Sequence, residues 1–237
     1  MIKGARKHPG ENNKEYSYRV IKDKIMSLEL KPGQAISEVE LAEALHISRT
    51  PIREVIGKLR EEHLVEVYPQ VGSYVSKNNP RLLEEAAFMR YTLEREVMKT
   101  ACLSFPKEQL RELRRNIVLQ EESVADKSEV IDFHKLDTQF HKILFQGIGK
   151  EHVWEAITRL STHYNRVRVL AEMEYSYHKA FTEHKIILRI IENKEIDQVE
   201  QVLYNHIMKP TELWEQFYKP ESPYISYFDL SNQVHVH

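Results

Sequence analysis

The stretch HISRTPIREVIGKLREEHLVEVYPQVGSYVS, residues 46–76, constrains the fold more than any other. A helix usually opens on acidic residues, because its N-terminal end is electropositive. Here the opening is Arg-Thr-Pro, cationic and hydroxylated, which leaves free backbone N–H groups and positive charge facing something anionic. Ser48 suits the N-cap, and Pro51 then falls in the first turn, where its missing N–H has no intrahelical acceptor to lose. The spacing of Ile52, Val55, Ile56 and Leu59 predicts a helix running to about Glu62 with one buried face. LVEVYP and GSYVS follow as two β-rich segments around a turn at Pro69–Gly72, a hairpin. Upstream, Tyr18, Ile21, Ile25 and Leu28 keep helical spacing over 16–28, and LKPGQAI reads as a turn with a short extended piece. SEVELAEAL opens with Ser37 and Glu40 in capping-box spacing and runs to Leu45. Helix, short helix, tight turn, helix and hairpin make a winged helix-turn-helix. Gly57 is an odd interior choice, costing roughly 1 kcal/mol against Ala; close packing on the preceding helix would account for it.

The rest of the chain is organised differently. Residues 1–15 are polar, mixed in charge and predicted to be disordered, and the winged domain covers 16–77. SKNNPR at 76–81 is polar and ends on Pro80 and Arg81, so 78–81 is expected to be a linker. Beyond it the pattern is helical, at roughly 80–104, 106–124, 128–147, 150–171, 174–193 and 195–217, which predicts an all-α antiparallel bundle over 82–218. The tail 219–237 has no helical spacing and stays unassigned. The fold class is therefore mainly α. Only 7 glycines and 9 prolines argue against an all-β design.

Charge divides the same way. Residues 1–79 hold 13 basic against 11 acidic residues, and the remainder 21 against 25. Arg49, Arg53, Lys58 and Arg60 cluster within 48–60, the kind of clustering that serves nucleic acid. Arg49 and Arg53 suit guanine edges, Thr50 and the free N–H groups suit phosphates, and Gly72 lies at the hairpin tip where backbone can approach DNA. A solvated basic face is the alternative for such a helix taken alone. No run of about 18 apolar residues exists, so no membrane contact is expected. The N-terminus has no apolar core of a secretory signal, and the single Cys102 fits a reducing compartment; a cytoplasmic protein is expected.

A second feature lies in the helical region. Asp137 and His141 share the face that carries Phe133, Phe140 and Leu144. His184 is in phase with Phe181, Leu188 and Ile191, and His206 with Val199, Val202 and Leu203. Three helices thus turn an ionisable residue inward, where charge is costly unless paired or metal-bound. Three imidazoles and a carboxylate suit a divalent Zn, Ni or Mn ion rather than Ca or Mg. Hydrogen-bonded core histidines, and a local Asp–His bond, are the alternative reading.

The segment LAEALHISRTPIREVIGKLREEHLVEVYPQVGSYV resembles the N-terminal domain of GntR-family bacterial transcription regulators. The resemblance implies that Arg49, Thr50, Arg53 and Gly72 meet operator DNA. Three positions depart from it: position 39, often basic in the family, is Val39, the turn glycine is His46, and the glycine after the recognition helix is His63. LDTQFHKIL and EHKIILRIIENKEIDQVEQVLYNHI resemble the FCD effector domain of the FadR subfamily, in its metal-binding branch. That resemblance makes Asp137, His141, His184 and His206 the metal ligands. It places Arg90 against a small organic acid effector, with Arg168 a weaker candidate that reads as surface. Intrahelical pairing with Glu94 is the alternative for Arg90.

The function implied is a homodimeric, ligand-responsive repressor of transcription that binds double-stranded operator DNA. A regulator with the metal itself as signal is an alternative. A metal-dependent enzyme is a further one, but no second carboxylate is placed as a general base and the winged module would go unexplained.

Overall fold

The computed structural model describes residues 6–126 and 130–231. Residues 1–5 of the expected disordered tail, 128–129 of the third expected bundle helix and 232–237 of the C-terminal tail lie outside the described residues. The chain forms two compact units, one built from residues 6–81 with 217–231 and the other from Leu82–Gln216.

The first unit runs α1 (Asn13–Met26), β1 (Ala35–Ile36), α2 (Glu38–Leu45), α3 (Arg49–Glu61), β2 (Val65–Tyr68) and β3 (Gly72–Val75). α1 begins at Asn13, inside the segment expected to be disordered, because Asn12 and Glu15 form a reciprocal capping box. α2 forms the Ser37 half of its expected box, the hydroxyl accepting from the Glu40 N–H at 3.3 Å. The hairpin strands pair antiparallel with Val65 opposite Val75 and Tyr68 opposite Gly72. β1 adds to β3, Ala35 opposite Tyr74, giving a three-stranded sheet of order β1-β3-β2. Ile21, Ile25, Ile52, Val55, Leu59 and Leu64 form the core where α1, α3 and the sheet meet. His46 and His63 both adopt left-handed backbone, φ 54° and 58°. That is the conformation glycine adopts without steric penalty, so these two departures from the family pattern carry strain. A Cβ on Gly57 would meet nothing within 4 Å, so close helix packing does not explain that glycine.

The C-terminal segment that the sequence left unassigned belongs to this unit. The Asn78 N–H donates to the Tyr227 carbonyl at 2.7 Å and the Asp229 N–H to the Asn78 carbonyl at 2.9 Å. Phe228 is buried, with Tyr218 at 5.2 Å between ring centroids. Asn78, expected in the linker, is fully buried as the other side of this bridge.

The second unit is a helical bundle of α4 (Pro80–Leu103, from Leu82 on), α5 (Lys107–Ala125), α6 (Val130–Gly147), α7 (Glu151–Leu160), α8 (Thr162–Tyr175), α9 (His178–Asn193), α10 (Val199–Leu203) and α11 (Lys209–Trp214). α6 packs against α5, α7 and α8, and α9 packs against α5 and α10. The helix expected over 150–171 is two, broken at Ser161. α7 buries one face through Trp154 and Ile157, whereas α8 is buried almost all round, so the chain turns into the core between them. The helix expected over 195–217 is also broken. Pro210 lacks the N–H that would bond the His206 carbonyl and crowds that carbonyl with its ring. The turn before it, Tyr204–Met208, is π-helical, and the Tyr164 hydroxyl donates to the Ile207 carbonyl at 3.3 Å. His206 sits inside that widened turn, a type of irregularity frequent at functional sites.

Candidate functional site

In the winged unit, Ser48 occupies the cap position of α3 with extended backbone but makes no side-chain cap bond. The first-turn N–H groups therefore remain open, beside exposed Arg49 and Thr50. Arg53 is exposed and lies 3.2 Å from Glu38 of α2. Lys58 is turned away from this group, its Nζ 3.7 Å above the Tyr18 ring of α1. Gly72 has φ +148°, and a Cβ there would touch Tyr74 only at an ordinary 3.7 Å; backbone angle, not space, calls for glycine.

In the helical unit, α6, α9 and the π-helical turn bring Asp137, His141, His184 and His206 together. One donor atom from each lies within 4.8 Å of all the others, and all four side chains are buried. His184 Nε2 is 3.1 Å from Asp137 Oδ1, His141 Nε2 is 3.8 Å from it, and His206 Nε2 is 3.1 Å from His141 Nε2. Each opposite nitrogen faces an outer group: His141 Nδ1 is 2.7 Å from Glu94, His184 Nδ1 is 2.8 Å from Gln120 Oε1, and His206 Nδ1 is 2.9 Å from Glu183.

These contacts decide where the protons sit. Burial would raise the Glu94 carboxyl, but Arg90 and His141 pull it down to about 2, so it is an anion that only accepts. His141 Nδ1, 2.7 Å from it, therefore carries a proton. Gln120 Oε1, at 2.8 Å, faces the corresponding nitrogen of His184. Burial lowers the His184 imidazole to about 4 despite Asp137, and lowers His206 well below its ordinary value, so both rings are neutral near pH 7. Burial would raise Asp137, but Arg168 and His184 hold it well below the usual carboxylate range. A neutral His184 with its proton on Nδ1 would aim a lone pair at a carboxylate oxygen 3.1 Å away. Two acceptors in that contact repel unless a cation joins them. Three imidazoles and a carboxylate converging within 4.8 Å fit a divalent transition metal.

Arg168 is not at the surface. It is buried, its guanidinium bonds both Asp137 oxygens at 2.7 and 2.5 Å, and its Nε lies 3.2 Å from Glu172. Arg90 makes the intrahelical pair with Glu94 at 2.7 Å and also faces the Tyr164 ring at 5.1 Å. Both arginines border a small cleft with Asp137, Thr138, Thr158 and Asn165. On the other side of Arg168 a cavity of about 100 Å³ is lined by Tyr164, Tyr177, Glu183, His206 and Trp214 among others. Glu183 and Gln120 were missed by the sequence reading, and Glu94 was seen only as a partner for Arg90. Gln120 and Asn116 share a buried face with Leu113 and Ile117, so inward-facing polar spacing on α5 was the available signal.

The sequence itself matches two family models in the order of the two units: bacterial regulatory proteins of the gntR family over residues 15–75, and the FCD domain over residues 85–209. The chain belongs to the GntR family, with an FCD domain. It is a transcriptional regulator and not an enzyme. Among its relatives, an uncharacterized HTH-type transcriptional regulator in an unstable DNA locus of Streptomyces ambofaciens is 31% identical over 84% of this chain and 83% of its own length. The HTH-type transcriptional repressor RspR of Escherichia coli K12 is 27% identical over 92% and 96%. A putative GntR regulator from Rhodococcus sp. RHA1 shares the fold at TM-score 0.74 and 18% identity, covering 87% of this chain and 99% of its own. Escherichia coli McbR/YncC does so at 0.74 and 19%, over 87% and 98%. Among the described residues no helix is long and apolar enough to cross a membrane.

Proposed function

We propose that this GntR regulator is a homodimeric repressor whose FCD domain holds one Zn, Ni or Mn ion on Asp137, His141, His184 and His206. The observation that carries the metal reading is the convergence of four buried donor atoms, one from each of these residues, within 4.8 Å of one another. A small organic acid completes the site, with Arg90 and Arg168 as its carboxylate partners. Arg168 is held by Asp137; an ion on Asp137 would weaken that pair and leave the guanidinium fork for an effector carboxylate. Operator binding rests on Arg49, Thr50 and Arg53 at the uncapped start of α3, with Gly72 at the wing. The effector shifts DNA affinity only as far as it prefers one state of the dimer over the other. The relative named as a repressor supports the sign of regulation.

Elemental analysis tests the metal. The untagged protein is expected to carry about one ion per chain, and an Asp137→Ala/His184→Ala variant none; the variant controls for ions held by the histidines at 235 and 237. Metal absent from the wild type after reloading with Zn, Ni and Mn would return the four residues to a hydrogen-bonded polar core. Operator affinity that follows metal alone would make the ion the signal. Arg49→Ala with Arg53→Ala is expected to abolish specific operator binding with helicity unchanged by circular dichroism; persistent specific binding would overturn the assignment of α3.

A further inference from the structure

We propose that Asn116 and Gln120 of α5 are positioning residues that set the tautomer of His184 and so aim its Nε2 lone pair at Asp137. The purpose of this device rests on the metal reading above; the tautomer itself does not.

His141 and His206 face carboxylates at Nδ1, whereas His184 faces an amide. An amide has two ends: its oxygen accepts and its nitrogen donates. Turned one way, Gln120 demands a proton on His184 Nδ1 and leaves Nε2 free to bind an ion. Turned the other way, it donates to Nδ1 and forces the proton onto Nε2, closing the site. The choice is made elsewhere. The Asn116 Nδ2 donates to the Leu136 backbone carbonyl at 3.0 Å, so its Oδ1 is the end presented to Gln120. The Gln120 Nε2 donates to that oxygen at 2.6 Å, which leaves Gln120 Oε1 facing His184 Nδ1 at 2.8 Å. A backbone carbonyl cannot donate, so the relay runs in one direction. Reversing Asn116 would set two acceptors against each other and orphan a buried group. Asn116, Gln120 and His184 are all buried, which makes each unmade bond costly. Leu136 immediately precedes Asp137. The relay therefore starts in the turn of α6 that carries the carboxylate and ends on the histidine facing it.

The test is long-range ¹H–¹⁵N correlation of the histidine rings in full-length protein stripped of metal, at pH 8, with His184 assigned by His184→Gln. Wild type is expected to carry the proton on Nδ1. Gln120→Leu, which removes the acceptor, and Asn116→Leu, which frees the amide to turn, are expected to move it toward Nε2; Gln120→Glu, which can only accept, is expected to keep it on Nδ1. Zn affinity by chelator competition should fall about 10–100-fold in the two Leu variants and within a few-fold in Gln120→Glu. A wild-type His184 protonated on Nε2 would overturn the proposal without any variant having to fold. So would Leu variants that retain the Nδ1 proton. Wild type with the Nδ1 proton but no affinity for Zn, Ni or Mn would leave the relay standing and sink the metal reading instead.

Discussion

In the winged unit the fully buried large side chains are Ile21, Ile25, Ile52, Leu59 and Leu64; in the helical unit Arg166 and Tyr164 join Phe133, Phe140 and Phe145. The winged core is apolar, and Glu62, buried near its edge, is matched by Lys22 and the Tyr18 hydroxyl, each at 2.6 Å. Its functional charges, Arg49 and Arg53, stay outside on an amphipathic helix. The helical unit does the reverse and buries Arg90, Glu94, Asp137, Arg168 and three histidines in one network. An apolar core is stabilised by area removed from water and is indifferent to ions. A polar core is held by pairing, so removing one partner leaves a buried charge and adding an ion changes the balance. The comparison teaches where each unit can respond to its surroundings: the winged unit at its surface, the helical unit at its centre.

Arg168→Leu should break that comparison most strongly. It leaves Asp137 unpaired in the metal-free protein and is expected to destabilise the helical unit by about 3–5 kcal/mol, read from denaturant unfolding. Saturating Zn should recover more stability in this variant than in wild type, since the ion replaces the lost positive charge. Equal Zn stabilisation in both would separate Arg168 from the site. Next is Phe228→Ala, expected to cost about 3 kcal/mol and to raise amide exchange in the winged unit with no response to Zn. If exchange there is unchanged, the C-terminal segment contributes nothing to that unit. The smallest effects concern glycine. His63→Gly relieves left-handed strain and should stabilise the winged unit by about 1 kcal/mol, read as a rise in its unfolding midpoint. Gly57→Ala should also stabilise it, by about 1 kcal/mol, since its Cβ has open space. Gly57 is four residues beyond Arg53 on the same face of α3. A drop in operator affinity with that gain in stability would place the Arg49–Arg53–Gly57 face against DNA; unchanged affinity would take Gly57 off it.

Much of the winged unit was legible because its signals are local. Ser37 and Ser48 at the caps, Pro51 in a first turn and alternation in VEVY each act within a few residues, and the elements formed where those signals stand. The early start of α1 was legible too, in the Asn12–Glu15 spacing, but the polar composition around it obscured the signal. In the helical unit the phasing of Asp137, His141, His184 and His206 sufficed to turn all four inward. Phasing reports only the face of one helix, and so it could not say that Arg168 on α8 reaches Asp137 on α6. Nor could it show that α5 supplies Gln120 to His184 on α9.

By itself the sequence determined the winged module, the helical character of the remainder and the inward histidines, because periodicity, caps and turn chemistry are properties of neighbouring residues. The tertiary structure alone decided the π-helical turn's placing of His206, the burial of Arg168, the return of Phe228 to the winged unit and the direction of the Asn116–Gln120 relay. Each of these depends on groups far apart in the chain, whose desolvation and hydrogen-bond pairing exist only once the helices are packed.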